Sequence, residues 1–190
     1  MINYKKENTR TIVIAIGTDG SGKTTTLKKI TQSPDNNIIY SYYGLKNFKI
    51  PYFKYFFNKN AGSDRFSKYL LLPIEYTIRR LLLPRTGIIL LDRVPGWAFT
   101  RKNSWIFKIY DKIIPNADLI VFLYGAPDII HSRKPERSIL EIQKDQEKWN
   151  SVFENYKAFK KIKIDTTISS VEETVETIQF ELTKIIKCHE

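Results

Sequence analysis

The chain has 190 residues, 42% of them apolar, and a formal charge of +11 from 31 Lys and Arg against 20 Asp and Glu. That length and apolar share supply one packed domain and exclude wholesale disorder, while the excess of cations points to anionic partners without choosing among phosphates, nucleic acid and an acidic membrane face. One cysteine, Cys188, and two histidines, His131 and His189, exclude an intrachain disulfide, a cysteine-rich zinc cluster and a multi-histidine metal site.

Residues 11–16 form the first short, β-branched apolar run, bounded by a glycine-rich turn at 17–22. Lys5, Lys6 and Arg10 precede this run, but it is too short for a signal-peptide core, so no signal sequence is expected. A helical segment over Lys23–Thr31 follows, then a strand at 38–41. Between Asp35 and Asp64 no acidic residue occurs, and the stretch 40–59 holds nine aromatic residues and four lysines. A helical period covers 66–83, interrupted at Pro73, and a strand at 88–91 comes next. Helical patterns at 98–114, 128–132, 139–159 and 171–187 alternate with strands at 119–124 and 162–164. The last helix repeats Val171, Val175, Ile178, Leu182 and Ile185 at three- and four-residue steps, with Ser169 or Ser170 as its cap. Continuous apolar strands alternating with helices predict an α/β fold with a parallel sheet covered on both faces. No linker or repeat divides the chain, so residues 1–190 are read as one domain. The longest clean apolar run, 119–124, is far too short to span a bilayer. A reducing cytoplasm fits the cysteine usage.

The segment Gly17-Thr18-Asp19-Gly20-Ser21-Gly22-Lys23-Thr24 matches G-x-x-x-x-G-K-[ST], the Walker A pattern, in full. It lies where the mechanism needs it, after a strand and before a helix. The glycines let backbone N–H groups turn inward on a phosphate, and the helix N-terminus adds its partial positive charge. Gly17, Asp19, Gly20, Ser21, Gly22, Lys23, Thr24 and Thr25 are therefore the expected nucleotide cradle. Lys23 is placed at the β- and γ-phosphates, and the Thr24 hydroxyl at Mg²⁺. ATP and Mg²⁺ are the expected cofactors.

Asp19 is a carboxylate inside a loop built for phosphates. It repels the nucleotide unless Mg²⁺ or an acceptor hydroxyl takes it up. A second motif, Gly87-Ile88-Ile89-Leu90-Leu91-Asp92-Arg93, reads as a buried strand ending in Asp-Arg at its carboxyl edge, where ligands bind in such sheets. A third, Arg133-Lys134-Pro135-Glu136-Arg137, gathers cations after the fourth strand.

These three segments resemble the thymidylate kinases and their relatives among the nucleoside monophosphate kinases. The resemblance implies a P-loop NTPase fold with a five-stranded parallel sheet, a lid near 131–138 and an acceptor-side arm near 42–66. It implies that Asp19 faces the acceptor sugar, that Asp92 helps hold Mg²⁺, and that Arg93 bridges donor and acceptor phosphates. It assigns Arg133 and Arg137 to transition-state contacts from a lid that excludes water, and 164–167 to the adenine side. Ser63-Asp64-Arg65 is similar to the family's acceptor helix and makes Arg65 an acceptor contact. A homodimer through the helices at 66–83 and 98–114 is a further implication.

The acceptor half departs from the family. The Arg-Glu-Pro-Gly stretch expected after the second strand is replaced by Tyr42-Tyr43-Gly44-Leu45-Lys46, and Val94-Pro95-Gly96-Trp97-Ala98-Phe99 stands where the thymine-reading residues belong. An unusual acceptor therefore ranks above dTMP itself. A sugar or glycolipid of surface-polysaccharide synthesis fits the resemblance. Tyr43 and Lys46 are the acceptor candidates on the arm. The arm's rings and lysines suit three roles that the sequence leaves open: wrapping an acceptor, lying on an anionic membrane face, or packing as a helical arm. A non-catalytic ATP-binding regulatory module is the alternative from another class. The cations are spread along the chain, so no specific nucleic-acid partner is expected.

Overall fold

The computed structural model describes residues 10–32, 37–45, 47–53 and 67–188. Five strands run in parallel: β1 (Arg10–Ile16), β2 (Ile38–Tyr42), β3 (Gly87–Asp92), β4 (Ala117–Tyr124) and β5 (Ala158–Asp165). Their order across the sheet is β2-β3-β1-β4-β5. The helices are α1 (Lys23–Thr31), α2 (Leu72–Leu81), α3 (Trp105–Ile113), α4 (Pro127–Arg133), α5 (Ile139–Asn155) and α6 (Val171–Cys188). The α/β fold with a five-stranded parallel sheet is as the sequence predicts.

Alternation along each strand divides the core in two. Val13, Ala15, Leu90, Leu119 and Val121 face one way and bury Leu27 and Ile30 of α1 and Ile178 and Leu182 of α6. Ile12, Ile14, Ile89, Leu91 and Ile120 face the other and pack on Tyr76 of α2, Tyr110 of α3 and Val152 and Phe153 of α5. Each aliphatic side chain buried this way contributes about 1.5–3 kcal/mol. The chain crosses from β1 to β2 through α1 on one face and returns to β3 through α2 on the other. That reversal beside β1 opens a crevice at the carboxyl ends of β1 and β3.

Several predicted boundaries move, among them the last strand, expected at 162–164 and observed at Ala158–Asp165. Helix 66–83 becomes a π-helical turn at Ser67–Leu71 running into α2, with Pro73 inside the first turn of the α-helix, where its missing N–H costs no hydrogen bond. Helix 98–114 is corrected to a 3₁₀ turn (Gly96–Ala98) and α3, because Ser104 caps α3 by accepting from the Phe107 N–H at 3.1 Å. Helix 139–159 ends at Asn155: its side chain donates to the Phe99 carbonyl at 2.9 Å, and Ala158 already pairs with Ala117. Ser170, rather than Ser169, starts α6, through reciprocal bonds with Glu173 at 2.8 and 3.1 Å. Among the described residues no helix is long and apolar enough to cross a membrane.

Candidate active site

The loop 17–22 lies at the carboxyl end of β1. Gly17 is required there by close approach: with φ 144°, a Cβ would stand 2.1 Å from the Leu123 carbonyl oxygen. Gly22, at φ 80°, caps α1 and turns the backbone into it. Lys23 folds back into the loop, donating to the Thr18 carbonyl at 2.5 Å and to Ser21 Oγ at 3.3 Å. Burial, reinforced by Arg93, pushes its pKa down to about 8 against the opposing pull of Asp19 and Asp92.

Asp92 ends β3 directly beside this loop and is fully buried. Its Oδ2 accepts from Thr24 Oγ1 at 2.6 Å and from the Tyr40 hydroxyl at 2.8 Å. Register explains Tyr40: it pairs with Leu90, so it shares a face with Asp92 two residues on. The second oxygen, Oδ1, is buried and accepts no hydrogen bond, with Arg93 Nε 3.9 Å away. A threonine hydroxyl beside a carboxylate with one open oxygen fits a hard divalent cation held mainly by phosphates and water. No cluster of three or more acidic, His or Cys groups is found among the described residues.

Arg93 adopts φ 78°, an uncommon conformation for a non-glycine residue. Its backbone N–H bonds the Ala15 carbonyl at 3.1 Å, and the guanidinium reaches Asp19 Oδ1 at 2.5 Å. Lys134 approaches the other Asp19 oxygen at 3.8 Å. Partial burial pushes the Asp19 carboxyl up, but Arg93, Lys23 and Lys134 outweigh it and hold the group below its usual range. The same pair raises Arg93 despite its own burial.

Two cavities open here. One, of about 410 Å³, is lined by Asp19, Gly20, Lys23, Thr24, Arg133 and Lys134. The other, of about 660 Å³, lies on the α2 and α5 side and is lined by Tyr42, Leu45, Tyr76, Trp97, Trp149 and Val152, among others. Arg93 lines both. Gln146 fixes α5 at this edge by pairing with both backbone groups of Gly125, at 3.2 and 3.0 Å.

The fold thus brings Lys23, Thr24, Asp92, Arg93, Asp19 and Thr25 to one place. Arg133 lines the smaller cavity, yet its guanidinium bonds Thr166, on the loop after β5, at 2.7 and 3.3 Å. Arg137 is paired instead with Asp145 of α5 at 3.1 Å. His131 donates from Nδ1 to the Arg137 carbonyl at 2.7 Å, which ties α4 to the turn that follows it. Tyr43 is 1% exposed and belongs to the core; its neighbour Tyr42 lines the cavity. Lys46 and Arg65 lie outside the described residues. Lys134, Tyr40, Trp97 and Trp149 went unselected in the sequence. Lys134 and Trp97 carried a signal, one inside the cationic segment 133–137 and the other inside the stretch 94–99 that departs from the family; Tyr40 and Trp149 carried none.

No protein-family model matches the sequence, and no curated protein aligns with it significantly. Solved structures do match. YorR of Bacillus subtilis, in complex with phosphorylated GDP, aligns over 95% of this chain and 99% of its own at 19% identity, with a TM-score of 0.61. The chain has the fold of the thymidylate-kinase-like nucleotide kinases. Thymidylate kinase from Ehrlichia chaffeensis aligns over 94% and 99% at 14% identity with a TM-score of 0.57. Deoxyadenosine kinase from M. mycoides, with bound dATP, aligns over 90% and 98% at 17% identity with a TM-score of 0.55. These alignments cover 90–95% of this chain.

Proposed function

We propose that the chain is an ATP- and Mg²⁺-dependent phosphotransferase that moves the γ-phosphoryl group to a small acceptor other than dTMP. The observation that carries this reading is Arg93, which lines both the phosphate-loop cavity and the ring-lined cavity. A module that only binds ATP has no use for a second cavity joined to the first by a guanidinium. YorR with phosphorylated GDP and the kinase with dATP support a nucleotide in such a fold.

Phosphoryl transfer needs positioning and charge neutralisation more than covalent help. Loop N–H groups and Lys23 hold the β- and γ-phosphates, and Lys134 and Arg133 close the outer side. Thr24 and Asp92 would hold Mg²⁺, which would supply charge neutralisation for the transferring phosphates. Arg93, aimed by Asp19, neutralises the oxygens shared between donor and acceptor. With Asp19 bound to Arg93 at 2.5 Å and to Lys134 at 3.8 Å, it is a poor general base. A phosphate acceptor, which needs no base, is therefore favoured over a hydroxyl.

Coupled ADP release with Mg·ATP and dTMP, using Lys23→Ala as the blank, tests the reading. ATP binding without dTMP turnover, followed by Lys23-dependent turnover with another acceptor, is the expected result. Rapid dTMP turnover returns the chain to genuine thymidylate kinases, and no turnover with any acceptor leaves the binding module.

A further inference from the structure

The 660 Å³ cavity falls in the size range of small-molecule sites, and its lining sorts by depth. The buried members are Tyr76, Val94, Pro95, Val152 and Gly44, while Lys148 is exposed and Arg93, Thr100 and Asp145 are partly so. The floor is therefore apolar and the rim polar.

Several polar atoms of the floor are already engaged. The Tyr76 hydroxyl donates to the Tyr43 carbonyl at 3.1 Å, and the Gly44 carbonyl accepts from Arg79 at 2.8 Å. The carbonyls of Val94, Pro95 and Gly96 accept from Gly96, Ala98 and Phe99 within the turn that follows β3, at 2.7, 2.9 and 2.9 Å. At the rim, Thr100 donates to the Trp97 carbonyl at 3.2 Å and Asp145 holds Arg137 at 3.1 Å. A base edge or sugar hydroxyl set against these groups loses water and finds them already bonded. Each such group weakens binding by about tenfold or more. The other side-chain donors below the rim sit on the walls, at the Tyr42 hydroxyl and the Trp97 and Trp149 indoles.

Two indoles stand on the walls. Trp149 packs onto Gly96 so closely that a Cβ there would lie 2.8 Å from its six-membered ring. Trp97 meets Tyr110 edge to face at 5.0 Å on the core side. Aromatic walls over an apolar floor favour a flat or branched hydrocarbon body. Arg93 and Lys148 put two cations at the mouth, where an anionic head belongs.

We propose that the acceptor is a phosphomonoester with an apolar body, aryl or branched alkyl, selected by Trp97 and Trp149. This rests on the phosphotransferase reading above. The bond between the γ-phosphorus and its bridging oxygen in ATP breaks, ADP leaves with that oxygen, and a phosphate oxygen of the acceptor forms the new P–O bond. With a dianionic acceptor the product is a diphosphate, and no proton is released. The arrangement thus works with Asp19 fully committed to Arg93 and Lys134.

Calorimetric titration of the full chain with naphthyl phosphate, a glucose phosphate and dTMP tests it, with an ATP analogue titrated separately. Naphthyl phosphate is expected to bind at least tenfold tighter than either polar phosphate. Trp149→Ala should remove about tenfold of that preference while the ATP analogue's Kd stays within about twofold. Trp97→Leu gives the same reading should Trp149→Ala fail to fold by circular dichroism. Tighter binding of dTMP or the sugar phosphate, no binding of naphthyl phosphate, or a preference unchanged in the folded variants overturns the proposal. Absent ATP-analogue binding overturns the phosphotransferase reading instead, and the naphthyl result remains readable without it.

Discussion

Lys23 carries its charge where burial disfavours it, and this makes nucleotide binding a pH measurement. Its pKa of about 8 in the folded chain lies below the ordinary 10.5. Between those values the unfolded chain holds the proton that the folded chain has shed, so this group's contribution to stability grows as pH rises through the window and is lost as pH falls through 8. Polyphosphate needs the charged form. ATP is expected to bind with proton uptake above pH 8 and more weakly as pH rises, whereas a Lys23→Met chain should bind weakly with no such slope. Calorimetry in buffers of differing ionisation enthalpy checks both. Arg93→Ala should cut kcat by about 10³-fold with ATP affinity far less affected, since it removes charge at the transferring group. Tyr40 acts one step back, holding the Asp92 carboxylate at 2.8 Å. Tyr40→Phe should raise the Mg²⁺ concentration for half-saturation by about tenfold, with Mn²⁺ binding followed directly by magnetic resonance.

At the scale of elements, α2 organises the acceptor wall through a buried ion pair. Glu75 and Arg79 lie one turn apart, 0% and 3% exposed, with Arg79 Nε 2.6 Å from Glu75 Oε1. Glu75 accepts the backbone N–H groups of Lys49 and Ile50, and Arg79 donates to the carbonyls of Gly44 and Asn47. Gly44, Asn47, Lys49 and Ile50, which follow β2, thus hang on two side chains of one helix. Glu75→Ala strands a buried guanidinium at a cost of about 3–5 kcal/mol. Thermal unfolding should fall by roughly 10 °C, and the acceptor KM should rise more than the ATP KM. The phosphate loop was legible because its chemistry is contiguous: glycines, lysine and threonine stand within eight positions. Asp92 and Arg93 were legible because they end a buried strand. The ring-lined cavity was not, since Tyr42, Tyr76, Trp97 and Trp149 come from four distant elements and obey no common period. The helix ends were missed for a similar reason. The apolar pattern at 98–114 runs through Asn103, whose φ of 68° breaks it.

On the scale of the whole molecule, strand and helix alternation predicted the parallel sheet, while the crevice follows from the observed order β2-β3-β1-β4-β5 and its occupants from side chains converging from both faces. Exposed apolar residues remain on α2 and α3: Ile74, Leu81 and Trp105 are 46%, 77% and 56% exposed. Pairing of these helices between two copies is the expected fate of that surface, so light scattering should give twice 22.3 kDa. Leu81→Glu should return a monomer, and a monomeric wild-type chain contradicts the pairing.

Two cavities that meet at Arg93 are expected to serve one phosphoryl transfer. Following label from ATP marked at the γ-phosphate tests it most directly, with Mg²⁺ and dTMP, a glucose phosphate, naphthyl phosphate or the small-molecule fraction of a cell extract as acceptor. Label is expected in an organic phosphate product, lost by about 10²-fold or more in both Lys23→Ala and Arg93→Ala. Label that remains in ATP or appears only as inorganic phosphate, in a chain that binds ATP, contradicts it.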